Sequence, residues 1–118
     1  MALLRASWEA FDETAARVSE ELQKGPRGGG RNRSKIIEHV YEAERAYVRN
    51  LGVRTPIGTM FTPEGRASHR DAVAGAIREH NARGEPARNW PLRYFIRRAT
   101  WHLLDHAWEM QDKDLTPR

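Results

Sequence analysis

Cysteine is absent from this chain of 118 residues. Its absence excludes disulfide bonds, thiolate nucleophiles and the cysteine-ligated classes of zinc and iron–sulfur site. Any sulfur chemistry would therefore need a thiol from another molecule. Stability is expected to come from side-chain packing, helped by a metal ion or a second chain.

Long apolar runs are also missing. No run approaches the roughly 20 residues that a transmembrane helix needs. The first residues, MALLRASWEAFDE, lack the charged start and the small-residue cleavage site of a signal peptide. We therefore expect a cytoplasmic protein without membrane contact. With 39% hydrophobic and 31% charged residues, the chain is expected to form one globular domain over 1–118.

Lysine is scarce among the 20 basic residues, of which only Lys24, Lys35 and Lys113 are lysines. The net charge is +4, but acidic residues are interspersed along every segment. This pattern predicts a modest positive field rather than a concentrated basic surface. Nucleic-acid binding is therefore disfavoured and stays a minor alternative.

Four segments have the apolar periodicity of amphipathic helices, and none alternates as a half-buried strand does. We predict helices over about 2–24, 33–51, 63–83 and 89–113, and hence an all-α fold, a four-helix bundle. Each predicted helix has an apolar inner face. These faces are, in the first helix, Leu4, Trp8, Phe11, Ala15, Val18 and Leu22; in the second, Ile36, Ile37, Val40, Ala43, Tyr47 and Leu51; in the third, Ala67, Val73, Ala74 and Ile77; and in the fourth, Leu92, Phe95, Ile96, Ala99, Leu103, Ala107 and Met110. Three tryptophans add bulk to the fourth helix and are interpreted as core or interface residues: Trp90, Trp101 and Trp108.

Local signals mark the helix ends. The first helix is predicted to stop at Gly25–Pro26, because proline cannot continue the hydrogen-bond ladder. Asn32 or Ser34 is predicted to cap the second helix with a side-chain oxygen. Thr62–Pro63 is typical of a helix start, and Gly84 of a helix end.

His102 and His106 are four residues apart, which places both imidazoles on one helix face. They follow the same stripe as Ala99 and Met110, so we expect them to face the core. His39 lies beside the main apolar stripe of the second helix. A bundle that brings the second and fourth helices together would direct all three rings to one point.

Three neutral imidazoles suit zinc, nickel, iron or copper and leave coordination positions for water or substrate. The alternative is that His39, His102 and His106 are packed residues with one hydrogen bond each, since such a pair also arises by chance. Burying three imidazoles without a ligand would leave polar atoms unsatisfied, which favours the metal site. His69 and His80 are interpreted as surface or boundary residues.

The stretches HVYEAERAY on the second helix and RYFIRRATWHLLDHAWEM on the fourth resemble the DinB/YfiT-like superfamily of metalloenzymes. In that family one histidine of the second helix and an HxxxH pair of the last helix bind the metal, and these positions match His39, His102 and His106. The resemblance implies a bundle of up-down-down-up order, often dimeric, that binds nickel, zinc or a similar ion. Characterised relatives include S-transferases that use mycothiol or bacillithiol, and a mycothiol-dependent maleylpyruvate isomerase.

Other site types fit less well. A phosphate-binding loop would need Lys-Ser/Thr where Arg31 and Asn32 stand, and neither Glu-x-x-His nor HExxH occurs in the sequence. Arg27, Arg31 and Arg33 precede a helix N-terminus, where they could help to bind an anionic substrate.

Two hypotheses about function follow. The first is a metal-dependent thiol S-transferase or related enzyme, in which the three histidines hold zinc, nickel or iron and the substrates are a low-molecular-weight thiol and a small electrophile. The second is a non-enzymatic module that a metal stabilises and that forms homodimers through apolar faces of the first and fourth helices. Asp105 and Glu109 are near enough in sequence to support the histidines, and the sequence does not choose between them.

Overall fold

The predicted all-α class is confirmed by the computed structural model, which describes residues 1–25 and 30–117. Within those residues the helices are α1 (Ala2–Arg17), α2 (Arg33–Val48), α3 (Pro63–Arg83) and α4 (Leu92–Asp112), with 3-10 turns at Arg49–Leu51 and Thr59–Phe61. The same residues form isolated bridges, Leu22–Asp114 and Ala87–Trp90, and no β-strand. This arrangement is compatible with a four-helix bundle.

The chain divides into two compact units. The first comprises Met1 and Tyr41–Ala99, and the second comprises Ala2–Val40 and Thr100–Arg118. Both α2 and α4 contribute residues to each unit. None of the helices in the described residues combines the length and the apolarity that a membrane crossing needs.

α1 is shorter than predicted and ends at Arg17, so the prediction of a helix over 2–24 was wrong. The chain turns away because the backbone N–H of Ser19 donates to Asp114 Oδ1 at 2.8 Å, a contact between residues 95 apart in sequence. Two later members of the predicted apolar face are nevertheless buried, Val18 and Leu22. The predicted stop at Gly25–Pro26 lies partly outside the described residues.

Asn32 is the N-cap of α2. Its Oδ1 accepts a hydrogen bond from the Lys35 backbone N–H at 2.9 Å, whereas the Ser34 hydroxyl pairs with the Glu20 carboxylate. The alternative cap is thereby excluded. The buried residues of α2 are Ile36, Val40, Tyr41, Glu44 and Val48; Tyr47, predicted to be buried, is only half-buried.

α3 has the predicted bounds of 63–83 because its ends are set locally. Thr62 Oγ1 accepts from the Gly65 backbone N–H at 3.0 Å, Pro63 is the first helical residue, and Gly84 has a positive φ of 66°. A left-handed residue at this position is the usual helix end. Ala67, predicted on the inner face, is exposed.

α4 begins at Leu92 rather than near residue 89. Residues 87–90 form a tight turn in which Ala87 and Trp90 exchange backbone hydrogen bonds of 2.8 and 3.1 Å. The predicted inner face is largely buried, at Phe95, Ala99, Leu103, Ala107 and Met110. Trp101 and Trp108 are exposed, by 58% and 49%, so they do not belong to the core, and their role as interface residues stays a prediction.

Candidate metal centre

His39 on α2 and His102 and His106 on α4 come together in the second unit. One ring nitrogen of each lies within 4.8 Å of those of the other two. His39 Nε2 and His102 Nε2 are 3.4 Å apart. A tetrahedral zinc ion with Zn–N bonds of about 2.0–2.1 Å requires nitrogens about 3.3–3.4 Å apart. One nitrogen pair of the predicted histidine cluster thus has the separation of a tetrahedral zinc site, and the nitrogen of His106 lies within 4.8 Å of both.

Burial differs sharply among the three rings. His106 is 8% exposed, His102 is half-buried and His39 is exposed. All three imidazoles were expected to be buried, and this was wrong for His39. This residue precedes Val40, which is buried, and one helical step of about 100° moves it from the inner face to the edge of α2. The cluster is consequently accessible from solvent at His39.

Glu109 orients the His106 ring. The His106 Nδ1 and Glu109 Oε1 atoms are 2.8 Å apart. A carboxylate accepts hydrogen bonds and does not donate them, so Nδ1 carries the hydrogen. The lone pair of Nε2 is then free for a metal ion, as in the carboxylate–histidine–metal arrangement. Asp105, the other carboxylate considered from sequence, is exposed.

Positive charges surround the Glu109 carboxylate. Arg31 Nη2 lies 3.3 Å from Oε1, and Lys113 Nζ lies 3.8 Å from Oε2. Desolvation raises the pKa of Glu109, but the hydrogen bond to His106 and the charges of Arg31 and Lys113 outweigh it and hold this pKa below the ordinary range. The carboxylate is therefore charged at neutral pH.

The local environment also favours the neutral form of His39. Partial desolvation lowers the pKa of His39, the nearby His106 and Arg31 lower it further, and the Glu109 carboxylate opposes them. Neutral imidazole is the form that binds metals, so this ring is ready to coordinate near neutral pH.

Of the arginines predicted as an anion site, the two that the structure describes, Arg31 and Arg33, make separate contacts. Arg31 contacts the centre through Glu109, whereas Arg33 Nη1 donates to the carbonyl oxygens of Ala15 and Val18 at 3.3 and 3.1 Å. Arg27 lies outside the described residues. Of the two described arginines, Arg31 is the one that lies at the candidate site.

The remaining histidines lie in the first unit. His80 is half-buried, which confirms its interpretation as a boundary residue. His69 is 3% exposed, and its interpretation as a surface or boundary residue was wrong. A signal was present, because His69, Val73 and Ile77 recur every four residues along the buried side of α3.

No family model matches the sequence, and neither a curated protein nor a solved structure matches it. The membership in the DinB/YfiT-like superfamily predicted from α2 and α4 stays a prediction. A metal centre is supported by the positions of His39, His102 and His106 and by the carboxylate that orients one of them.

Proposed function

We propose that this protein binds one divalent transition-metal ion, zinc, nickel or iron, through His39, His102 and His106. The observation that carries the proposal is the convergence of three ring nitrogens within 4.8 Å. The Glu109–His106 hydrogen bond supports it, because metal-binding histidines usually donate their second N–H to such a partner.

The reaction we propose is the transfer of a low-molecular-weight thiol to a small electrophile, as the resemblance to the DinB/YfiT-like superfamily implies. Three protein ligands leave a coordination position open, which is typical of catalytic rather than structural sites. When bound there, the ion would lower the pKa of a thiol and make it nucleophilic near neutral pH. The thiol must come from outside, because the chain contains no cysteine.

The residues around the site would have separate roles. His106 is held in one tautomer by Glu109, and Glu109 is held in turn by Arg31. The exposure of His39 leaves an approach from solvent for the thiol and the electrophile. The Arg31 guanidinium adds positive charge beside the site, which favours an anionic substrate.

Metal analysis of untagged protein tests the binding proposal. We expect one ion per chain in the wild type and loss of that ion in H39A, H102A and H106A. The matched control is H80A, which removes another histidine, one that lies in the first unit. Circular dichroism of each variant shows whether the helices persist. Metal retained by all three variants would contradict the proposal.

Cobalt substitution separates the reaction from the binding. Adding a low-molecular-weight thiol to the Co²⁺-loaded protein should produce a sulfur-to-cobalt charge-transfer band, and adding an electrophile should consume the thiol. Both signals should disappear in H102A. If the protein binds cobalt but shows neither the band nor thiol consumption, the transferase proposal is excluded and the metal-binding proposal is unaffected.

A second candidate is a metal-stabilised homodimer without catalysis. Exposed apolar side chains on α1 and α4 favour it: Leu3 is 56% exposed, Trp101 58% and Trp108 49%. These side chains lie in the second unit, as the three histidines do. Sedimentation equilibrium should then give a dimer that dissociates in W101A or on chelation of the metal. A monomer under all conditions would exclude this candidate.

A further inference from the structure

A second polar cluster lies in the first unit and involves Glu44, Thr55 and His69. Glu44 Oε2 is 2.8 Å from His69 Nε2, and Thr55 Oγ1 is 2.5 Å from His69 Nδ1. Glu44 and His69 are 5% and 3% exposed, whereas Thr55 is half-buried. A carboxylate, an imidazole and a hydroxyl thus form one chain that runs from the interior toward the surface.

The chemistry of these groups determines the direction of the hydrogen bonds. The Glu44 carboxylate accepts only, so the hydrogen of the neutral His69 ring is on Nε2. Nδ1 then carries the lone pair and accepts the Thr55 hydroxyl hydrogen. Hydroxyl, imidazole and carboxylate in this order are the arrangement in which a base activates a nucleophile and a third group orients the base.

Neighbouring contacts hold Thr55 in place. Arg45 Nε donates to the Thr55 carbonyl oxygen at 2.7 Å, and Arg45 Nη1 pairs with Glu42 Oε2 at 2.5 Å. The residues on either side of Thr55 are exposed, and Ile57 is 81% exposed. The backbone of Thr55 is therefore anchored, while its surroundings are open to a molecule from solvent.

We propose that Thr55 is a nucleophile that accepts acyl groups from carboxylic esters, with His69 as the base and Glu44 as a positioning residue. Thr55 Oγ1 forms a bond to the ester carbonyl carbon as its proton moves to His69 Nδ1. The carbon–oxygen bond to the alcohol breaks, and the alcohol leaves with that proton. Water then attacks the acyl carbon as one of its protons moves to Nδ1. The bond from that carbon to Thr55 Oγ1 breaks, Oγ1 takes the proton back from Nδ1, and the carboxylic acid leaves. This site is independent of the proposed metal centre.

The test uses p-nitrophenyl acetate, an activated ester whose leaving group needs little assistance. Because exposed histidines also cleave this ester, the readout is acetylation mapped to a residue by peptide mass spectrometry, not colour release. Samples are quenched with acid within the first turnover, before water removes the acyl group. We expect an acetyl group on residue 55 in the wild type and in T55S, and none on residue 55 in T55V. Thr116 is an internal control, since its hydroxyl bonds the Asp114 carboxylate at 2.7 Å rather than an imidazole.

Variants of the base and its orienting carboxylate complete the test. H69Q and E44Q preserve side-chain size and hydrogen bonding but remove the base and the charge, so Thr55 acetylation should fall at least about tenfold in each. Thermal unfolding shows whether H69Q and E44Q fold. If one of them does not, the proposal is tested by the other and by the comparison of T55S with T55V. No acetyl on Thr55 in the wild type, or equal acetylation in folded H69Q, would overturn the proposal.

Discussion

Glu109 accepts from His106 Nδ1 at 2.8 Å and contacts Arg31 at 3.3 Å, so one carboxylate links a candidate ligand to a cation. In E109A the ring loses the partner that fixes its tautomer. We expect metal affinity to fall about 10- to 100-fold, as measured by competition with a chromogenic chelator. The control is D105A, which removes an exposed carboxylate on the same helix and should leave affinity unchanged. Equal affinities for E109A and D105A would show that Glu109 does not support the site.

The candidate ligands could be predicted from sequence, but their surroundings could not. The four-residue spacing of His102 and His106 places them on one helix face whatever the tertiary structure. Glu109 is three residues after His106 and Asp105 is three residues after His102, so helix spacing places one carboxylate near each ring. Which of the two bonds its histidine depends on the fold. The Glu44–His69 pair joins residues 25 apart on different helices, and no local pattern indicates it.

At the level of the helix, two glycines of α3 should respond oppositely to alanine. A Cβ at Gly65 would lie 1.9 Å from the Thr59 carbonyl oxygen, whereas a Cβ at Gly75 meets only Arg78 Nη2, at 3.9 Å. We expect G65A to lower the free energy of unfolding by about 1–3 kcal/mol, because backbone must shift. G75A should raise it by about 0.5–1 kcal/mol through helix propensity. Urea denaturation measures both, and equal effects would contradict the close contact at Gly65.

The segment after α1 should be acid-sensitive. Asp114 Oδ1 accepts from the backbone N–H of Ser19 and from both the hydroxyl and the N–H of Thr116. The Ser19 bond, followed by those of Thr116, holds the pKa of Asp114 well below its ordinary value of 3.8. A carboxyl group whose pKa is lower in the folded chain than in the unfolded chain stabilises the fold at pH values above its unfolded-state pKa. This stabilisation is lost as the pH falls through its folded-state pKa.

The measurement compares the wild type with D114N in thermal unfolding from about pH 6 to about pH 2. We expect the wild type to be the more stable at the upper end and the difference between the two curves to narrow once the pH falls below the ordinary pKa of 3.8. A difference in melting temperature that stays constant over this range would show that the Asp114 charge is not involved. D112N changes an exposed neighbour and serves as the control.

Helix ends were predictable where their causes are local. The start of α3 depends on Thr62 and the next three residues, and its end on Gly84. The end of α1 depends on Ser19 meeting Asp114 from the far end of the chain, which periodicity does not report. The apolar stripe continues through Leu22, so the pattern predicted a longer helix although the buried segment is not helical.

For the molecule as a whole, metal binding should raise the free energy of unfolding. An ion that binds the folded chain and not the unfolded chain adds about 2.7 kcal/mol when its concentration is 100 times the dissociation constant. The melting temperature should therefore rise with zinc or nickel concentration in the wild type. It should not rise in H102A. An equal rise in H102A would place the metal elsewhere.

The exposed tryptophan pair is an intrinsic spectroscopic probe. The rings of Trp101 and Trp108 meet edge to face with their centroids 5.8 Å apart. Such closely coupled indoles should give an exciton signal in the far-ultraviolet circular dichroism, where their strongest transition absorbs. Trp101 is also the chain neighbour of His102, so a paramagnetic ion such as Ni²⁺ or Cu²⁺ should quench emission from this pair. Binding could then be followed in unlabelled protein, without a chelator or a dye.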